Sequence, residues 1–167
     1  MSCVYLKGEK TDLYGNSPVV GDVISDFTLI DTTLQEVKLS DFSDKKKILS
    51  IFPSVDTPVC HKSVIKFGHE SIKFNSNVKM INISADLPFA QKRFAEQNDI
   101  SNLMLSTYRN PNFGKDIGLE ISSGPLKGLL TRCVVVLDEN NKVLYCELVE
   151  DISHEPNYDN VLSVLEL

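Results

Sequence analysis

Two continuous apolar runs with a helical pattern between them constrain the fold of this chain most strongly. The first run is KILSIF, residues 47–52, which Pro53 closes, and the second is VKMINIS, residues 78–84. Runs that are apolar throughout are typical of strands buried inside a sheet. Residues 58–75 between them have the spacing of a helix. A buried strand, a helix and a second buried strand in this order are typical of an α/β fold.

The remaining patterns add strand pairs and further helices to this unit. Two hairpins are predicted, one at 4–16 and one at 133–149 around a Glu-Asn-Asn turn. Residues 26–31 and 36–42 are predicted to form a further strand pair, and residues 103–107 a single strand. Helices are predicted at 88–97, 111–118 and 157–167. This order predicts a mixed central sheet flanked by helices on both faces, with an N-terminal β-hairpin, as in a thioredoxin-like α/β sandwich. Since no linker or repeat interrupts the chain, residues 1–167 are expected to form one domain.

The composition argues against a nucleic acid or an anionic membrane surface as a partner. The 167 residues carry a formal net charge of -6, whereas both kinds of partner favour a basic surface. The nearest basic run, Lys45 to Lys47, comes just before an apolar stretch and is predicted to be a solvated turn.

The sequence also favours a cytoplasmic protein. No apolar run approaches the ~18 residues that a membrane span needs. Residues 1–15 lack the charged and then apolar layout of a signal peptide. We therefore expect a reducing environment, in which cysteines stay free thiols.

The four cysteines do not form a recognisable disulfide or metal pattern. Cys3, Cys60, Cys133 and Cys146 are widely spaced, with no C-x-x-C pair and no zinc spacing. Cys133 and Cys146 fall in apolar strand runs, where buried structural thiols are expected. Cys3 lies near the terminus and could either reach another chain or stay idle.

Cys60 differs from the others because it falls in the first turn of a predicted helix. Pro58 suits that turn, and Asp56 or Thr57 can cap it with a side-chain oxygen. Apolar residues such as Val64 follow Cys60 at helical spacing, so the thiol should point inward. The helix N-terminus stabilises a thiolate, the nucleophilic form of cysteine. A buried and inert cysteine is the alternative, and position alone leaves both open.

The motif around Cys60 resembles the active site of the peroxiredoxin superfamily. Pro53, Thr57 and Cys60 have P-x-x-x-T-x-x-C spacing. The wider context resembles the thiol peroxidase branch of the atypical two-cysteine type, in segments spanning nearly the whole chain: the N-terminal hairpin, PSVDTPVCHKSVIKF, ISADLPFAQKRF, LSTYRNPNFGKDIG and RCVVVLDENNKVLYCELVEDISHEPNYDNVL.

This resemblance implies a peroxidase that acts on hydrogen peroxide and small alkyl hydroperoxides. Cys60 would attack the O–O bond, Thr57 would hydrogen-bond the peroxide, Pro53 would shield the thiolate, and Arg132 would supply a fixed cation. Arginine suits that role because it stays charged and offers several donors. The resemblance also implies a homodimer, thioredoxin or another thiol as reductant, and no metal or organic cofactor, since thiols supply the electrons.

The other candidate side chains are expected at the surface. Arg93 and Arg109 fall in polar stretches and are predicted to be surface or dimer-contact residues. His61 follows Cys60 but points about a quarter-turn away on the helix, so it is expected to face solvent. His69 and His154 have no metal-ligand spacing nearby and are expected at the surface too.

The chain departs from the family at one position. The resolving cysteine of that branch lies after ADLPFAQ, where this chain has Ala95. Either the protein works with one cysteine and an external thiol such as thioredoxin or glutathione, or Ala95 is an engineered substitution. In both cases the disulfide between these two positions cannot form, so sulfenic acid should pass more readily to sulfinic acid.

Two other functions remain open from the sequence. The missing resolving cysteine is compatible with a non-enzymatic redox sensor or binding module that uses Cys60 oxidation as a switch. Turnover separates this from an enzyme, since a sensor is oxidised once per chain. A thiol-disulfide oxidoreductase on the same fold is disfavoured because the chain has no C-x-x-C pair.

Overall fold

The computed structural model describes residues 2–74 and 76–165, and most of its strands form one sheet. The strands are β1 (Cys3–Leu6), β2 (Glu9–Asp12), β3 (Thr28–Ile30), β4 (Glu36–Lys38), β5 (Lys46–Ile51), β6 (Val78–Ser84), β7 (Leu103–Ser106), β8 (Cys133–Leu137) and β9 (Val143–Leu148). The α-helices are α1 (Pro58–Glu70), α2 (Pro88–Gln97), α3 (Phe113–Asp116) and α4 (Tyr158–Val164).

The main sheet is mixed, as the order of apolar runs predicts. Its seven strands lie in the order β4-β3-β7-β6-β5-β8-β9, and β1 pairs with β2 in a separate N-terminal hairpin. Strands β5, β6 and β7 are parallel to each other, while the remaining pairs are antiparallel. Crossover helices α1 and α2 connect the parallel strands, which need such long connections. The thioredoxin-like architecture is therefore confirmed.

Most element bounds agree with the sequence patterns, and the differences occur at ends. β6 and α2 span the predicted residues 78–84 and 88–97. The predicted helix 58–75 ends at Glu70 and continues as a 3-10 turn over Ser71–Lys73, with residue 75 outside the described residues. The predicted strand 36–42 stops at Lys38, because Asp41 bonds back to the Lys38 N–H and opens a 3-10 turn.

The prediction of a solvated turn for the lysine run is wrong. Lys46 and Lys47 begin β5, and Lys47 is fully buried. Its Nζ donates to the carbonyl oxygens of Asp138 (3.1 Å) and Glu139 (3.2 Å) at the turn after β8. Burial lowers the pKa of Lys47, and the nearby carboxylates oppose that shift. The carbonyl groups of a neighbouring turn thus satisfy an ammonium group that the sequence pattern assigns to solvent.

The two faces of the sheet carry different layers. Side chains of α1 and α4 pack on one face, where Phe67 and Val161 meet Ile48 and Val136. The opposite face packs against α3 and the chain before β5. The apolar cluster on this face includes Leu29, Leu39, Leu49, Val135 and Phe113. Alternate residues of β8 therefore point to opposite layers, as strand geometry requires.

This arrangement places one loop at the carboxyl end of β5. Residues 52–57 leave β5 and lead directly into α1, next to the end of the parallel strand β6. Parallel α/β sheets hold their functional sites at such an edge. Among the described residues, no helix is long and apolar enough to span a membrane.

Candidate active site

Cys60 is the third residue of α1, and its side chain is fully buried. It packs in an apolar cluster with Phe52, Val55, Val64, Phe94 and Met104, which come from the loop after β5, from both crossover helices and from β7. The helix has thirteen residues, so its N-terminal end contributes a positive partial charge beside the sulfur. The inward orientation expected from the helical spacing is confirmed.

Arg132, just before β8, brings a positive charge to this sulfur. Its Nη2 donates to Cys60 Sγ at 3.2 Å, and its Nε donates to the Ile152 carbonyl at 3.0 Å. The residue is only 3% exposed. Within residues 2–74 and 76–165, no carboxylate lies within 4.0 Å of its guanidinium. A buried cation needs a counter-charge, and the Cys60 sulfur is the group placed to supply it.

Arg132 and Thr57 each have an atom that can form a further hydrogen bond. Arg132 Nη1 is buried and has no partner among the described residues. Thr57 precedes α1 as its N-cap, but its side chain does not cap the helix. Its Oγ1 instead donates to the Ser54 carbonyl at 3.2 Å. The predicted capping bond of Thr57 is therefore wrong, and its oxygen lone pairs stay free to accept a hydrogen bond.

Asp86 fixes the loop that precedes α1. Its carboxylate accepts from Ser54 Oγ (2.7 Å), from the Val55 N–H (2.9 Å) and from Ser84 Oγ (2.6 Å). Gln91 Nε2 in turn donates to Ser84 Oγ at 3.0 Å. Sequence reasoning missed Asp86, although its position just after β6 places it at the carboxyl edge beside the site.

The N-terminal hairpin holds the segment that anchors Arg132. The Tyr5 carbonyl accepts from the Ile152 N–H at 2.8 Å, and the Tyr5 N–H donates to Glu150 O at 2.7 Å. The Asp151 carboxylate accepts from the N–H groups of Lys7 and Gly8 and from Ser153. Burial opposes the charged form of Asp151, but these hydrogen bonds prevail and lower its pKa. The hairpin thus supports the Ile152 carbonyl that orients the guanidinium.

Comparisons with known proteins identify the family. Residues 19–162 match the family model described as Redoxin. A curated thiol peroxidase of Corynebacterium glutamicum is 45% identical over 166 residues, which is 99% of each chain. The chain belongs to the redoxin family. Thiol-dependent reduction of peroxides is accordingly its activity.

Solved structures of redoxin relatives share the whole architecture. A peroxiredoxin-like protein from Aquifex aeolicus is 36% identical and superimposes with a TM-score of 0.93, covering 99% of this chain and 97% of that one. A thiol peroxidase from Chromobacterium violaceum is 25% identical, with a TM-score of 0.89 over 98% and 95% of the two chains. Both matches include the N-terminal hairpin, which precedes the residues matched by the family model.

The remaining arginines of this redoxin lie at its surface. Arg93 pairs with Asp56 at 3.1 Å, with both side chains largely exposed. Arg109 is exposed and stacks on Tyr108, its guanidinium carbon 5.3 Å from the ring centroid. Neither arginine contacts Cys60. Among the described residues, Arg132 is therefore the arginine in contact with the Cys60 thiol.

The histidines are exposed, as the sequence predicts. His61, His69 and His154 all face solvent. The His61 ring packs edge-on against Phe94, with centroids 5.0 Å apart. It therefore covers the apolar cluster from outside and is not aimed at the thiol.

Ala95 is half-buried on α2 and packs against the apolar cluster around Cys60. The other cysteines lie in different layers: Cys3 is exposed on β1, and Cys133 and Cys146 lie in the layer on the opposite face of the sheet. Among the described residues, no second thiol belongs to the Cys60 cluster.

Proposed function

We propose that Cys60 is the nucleophile with which this redoxin reduces hydrogen peroxide and small alkyl hydroperoxides. One observation carries the assignment: Arg132 Nη2 lies 3.2 Å from Cys60 Sγ, and no carboxylate of the described residues lies within 4.0 Å of that guanidinium. The guanidinium and the α1 N-terminus both stabilise negative charge on sulfur, and the thiolate is the reactive form. By contrast, the charged side chains that act on Cys146 within the described part of the chain are the acidic Asp22 and Glu147.

In the first step, the Cys60 thiolate attacks one peroxide oxygen and the O–O bond breaks. Sulfur takes that oxygen and becomes a sulfenic acid, while the other oxygen leaves with the electron pair and gains a proton to form water or an alcohol. Negative charge therefore grows on the leaving oxygen. A fixed donor aimed at that oxygen lowers the barrier.

Arg132 and Thr57 are suited to hold the peroxide in the required orientation. Arg132 Nη1 has no partner among the described residues and would donate to a peroxide oxygen. Thr57 Oγ1 uses its proton on the Ser54 carbonyl, so it would accept the peroxide O–H. Pro53 is buried at the start of the same loop and would keep bulk water from the thiolate.

Peroxide reaches the sulfur only when side chains around it move, because Cys60 is 0% exposed. The proposed cover is the loop 53–57, which is held both by Val55 packing in the Cys60 cluster and by hydrogen bonds. Asp86 binds this loop through Ser54 and Val55. Asp86 is thus a positioning residue, since it sets the geometry of Thr57 and Pro53 without touching the substrate.

An external thiol completes the cycle, because Ala95 stands where a resolving cysteine would be. The incoming thiol condenses with the sulfenic acid to a mixed disulfide and water, and a second thiol then releases the Cys60 thiol and a disulfide product. Thioredoxin is the proposed reductant. Under excess peroxide, the unresolved sulfenic acid passes to sulfinic acid.

The proposed setting is a cytoplasmic homodimer in which each 167-residue chain is one domain. The formal net charge of -6 disfavours attachment to an anionic membrane surface. The dimer rests on the family resemblance alone.

The intact mass after one equivalent of peroxide, without reductant, tests this proposal. One added oxygen is expected on the wild-type chain, two with more peroxide, and none at that position in Cys60→Ser. Addition of a thiol reductant should then sustain many turnovers per chain, which a sensor oxidised once cannot do. Peroxide consumption by Cys60→Ser at the wild-type rate would overturn the assignment.

A further inference from the structure

Cys133 and Cys146 form a close pair of thiols on the face of the sheet opposite Cys60. Their sulfurs are 3.7 Å apart. Cys146 pairs with Val135 across β8 and β9, and Cys133 pairs with Leu148, so the two cysteines are diagonal neighbours on one face. Thiols in contact across adjacent strands can bond to each other once side-chain rotation and a local backbone adjustment bring the sulfurs to about 2.05 Å.

The two thiols differ in exposure. Cys133 is fully buried at the start of β8, whereas Cys146 is half-buried on β9, the last strand of the sheet. A reagent from solvent therefore meets Cys146 first. Cys133 lies behind it, in the position of a second thiol that can complete a disulfide.

We propose that Cys146 and Cys133 are a second redox-active site, a dithiol that small disulfides without net negative charge oxidise independently of Cys60. The Cys146 thiolate attacks one sulfur of the small disulfide, whose S–S bond breaks and releases one small thiolate. The Cys133 thiol then attacks Cys146 Sγ, the S–S bond between Cys146 and the small group breaks, and the second small thiol leaves with the Cys133 proton. The chain gains one disulfide, and the reagent leaves as two thiols.

The hydrogen bond between the thiols supports this order of attack. This hydrogen bond lowers the pKa of Cys146, although burial opposes that shift. The same hydrogen bond raises the pKa of Cys133, and burial raises it further. The half-buried Cys146 thiol thus ionises first, and the buried Cys133 thiol keeps its proton until the mixed disulfide has formed.

The charge of the surroundings sets the preference for the reagent. Asp22 and Glu147 both place negative charge near Cys146. Among the described residues, neither carboxylate is paired with a lysine or arginine. Anionic disulfides are therefore repelled and cationic disulfides attracted.

The test uses Cys3→Ser with Cys60→Ser, a chain that retains only the Cys133 and Cys146 thiols. Treatment with cystamine, a cationic disulfide, should remove two hydrogens from the intact mass, and dithiothreitol should restore them. Oxidised glutathione, an anionic disulfide, should react several-fold more slowly. Adding Cys146→Ser as the matched control should abolish the loss of two hydrogens.

A second measurement uses the wild-type chain, so the test does not depend on the folding of the variants. Peptide mapping after cystamine treatment should find the peptides containing Cys133 and Cys146 linked. A mixed disulfide on Cys146 that persists, or no reaction at either thiol, would overturn the proposal of a dithiol. Equal rates with cystamine and oxidised glutathione would overturn the charge preference.

Discussion

Cys60 and Cys146 are two thiols on opposite faces of one sheet, and their neighbours differ. Cys60 has the Arg132 guanidinium at 3.2 Å and the α1 N-terminus, and no second thiol of the described residues belongs to its cluster. Cys146 has the Cys133 sulfur at 3.7 Å, and its charged neighbours Asp22 and Glu147 are acidic. Cys60 thus lies beside a cation, whereas Cys146 lies beside a second thiol and acidic side chains.

This difference indicates which oxidant each thiol is suited to. A fixed cation stabilises both the thiolate and the negative charge that leaves with the peroxide oxygen, so it favours peroxide as the substrate of Cys60. A neighbouring thiol does not help that step, but it completes a disulfide once the first sulfur has been attacked. The same side chain therefore serves different chemistry according to whether a cation or a second thiol lies beside it.

The largest effect is expected from removing each thiol in turn. Cys60→Ser should abolish thiol-dependent peroxide consumption, because a serine hydroxyl is neither ionised nor able to form a sulfenic acid. Cys146→Ser is the matched control and should leave consumption unchanged, since Cys146 lies on the opposite face of the sheet. Steady-state peroxide assays of both variants test the comparison, and equal losses would contradict it.

Removing the planar donor set beside Cys60 should have the next largest effect. Arg132→Lys keeps the charge, but a compact ammonium cannot reproduce the planar, widely spaced donors with which the guanidinium reaches Ile152 O and the sulfur. We expect the rate constant of peroxide reduction to fall about 10²-fold, as for loss of one transition-state donor. Stopped-flow measurement of the peroxide step reports it, and Arg109→Lys, at an exposed site, is the control. If Arg132→Lys leaves the rate constant of the peroxide step unchanged, a group other than Arg132 stabilises the leaving oxygen.

The sequence could predict Cys60, its place in the first turn of a helix, and the buried strands around it. Those features depend on local spacing: Pro58 opens a helix, and the mainly apolar composition of runs such as 47–52 favours burial. The resemblance added Arg132, which lies 72 positions away from Cys60 along the chain. Only the fold brings these two residues together.

Contacts between distant segments could not be predicted in this way. The burial of Lys47 depends on two carbonyl groups in the turn after β8, and the Cys133 and Cys146 contact depends on the register of β8 with β9. Asp86 is intermediate, because its position after a parallel strand is visible in the sequence while its partners are not. Sequence periodicity reports which face is apolar, but it does not report which polar groups meet.

A thiol introduced near Cys60 should make the first site resemble the second. Ala95→Cys introduces a thiol on α2 beside the Cys60 cluster, so the sulfenic acid can condense with it before it reacts with more peroxide. We expect sulfinic acid formation under excess peroxide to fall about tenfold, with an intrachain disulfide in its place. Intact mass reports both products.

Ala90→Cys is the matched control for this change, because Ala90 is also half-buried on α2. Its sulfinic acid formation should equal that of the wild-type chain. If both variants are protected equally, the position of the added thiol is irrelevant and Ala95 is not the resolving position.

Loosening the loop over Cys60 should have a smaller effect. Asp86→Asn replaces an ionised acceptor of three hydrogen bonds with a neutral amide, which weakens the bonds from Ser54 and Val55. Thr57 and Pro53 then lose their fixed position, and we expect a three- to tenfold slower peroxide step. Oxidation at Cys146 should not change. Asp116→Asn, at an exposed site on α3, is the control.

The smallest effect is expected at Asp151, which tests whether the hairpin supports the Cys60 site or only the fold. Its carboxyl pKa is lowered from the usual 3.8, so the stability it contributes is fully present above about pH 4 and is lost as the pH falls through the lower folded value. Asp151→Asn should lower the free energy of unfolding at neutral pH by about 0.5–1 kcal/mol and reduce the acid dependence below pH 4. Urea unfolding at several pH values measures this, with Asp116→Asn as the exposed control. The peroxide rate should stay unchanged, since the Tyr5 bonds still hold Ile152; a fall like that of Arg132→Lys would mean that the hairpin itself sets the guanidinium geometry.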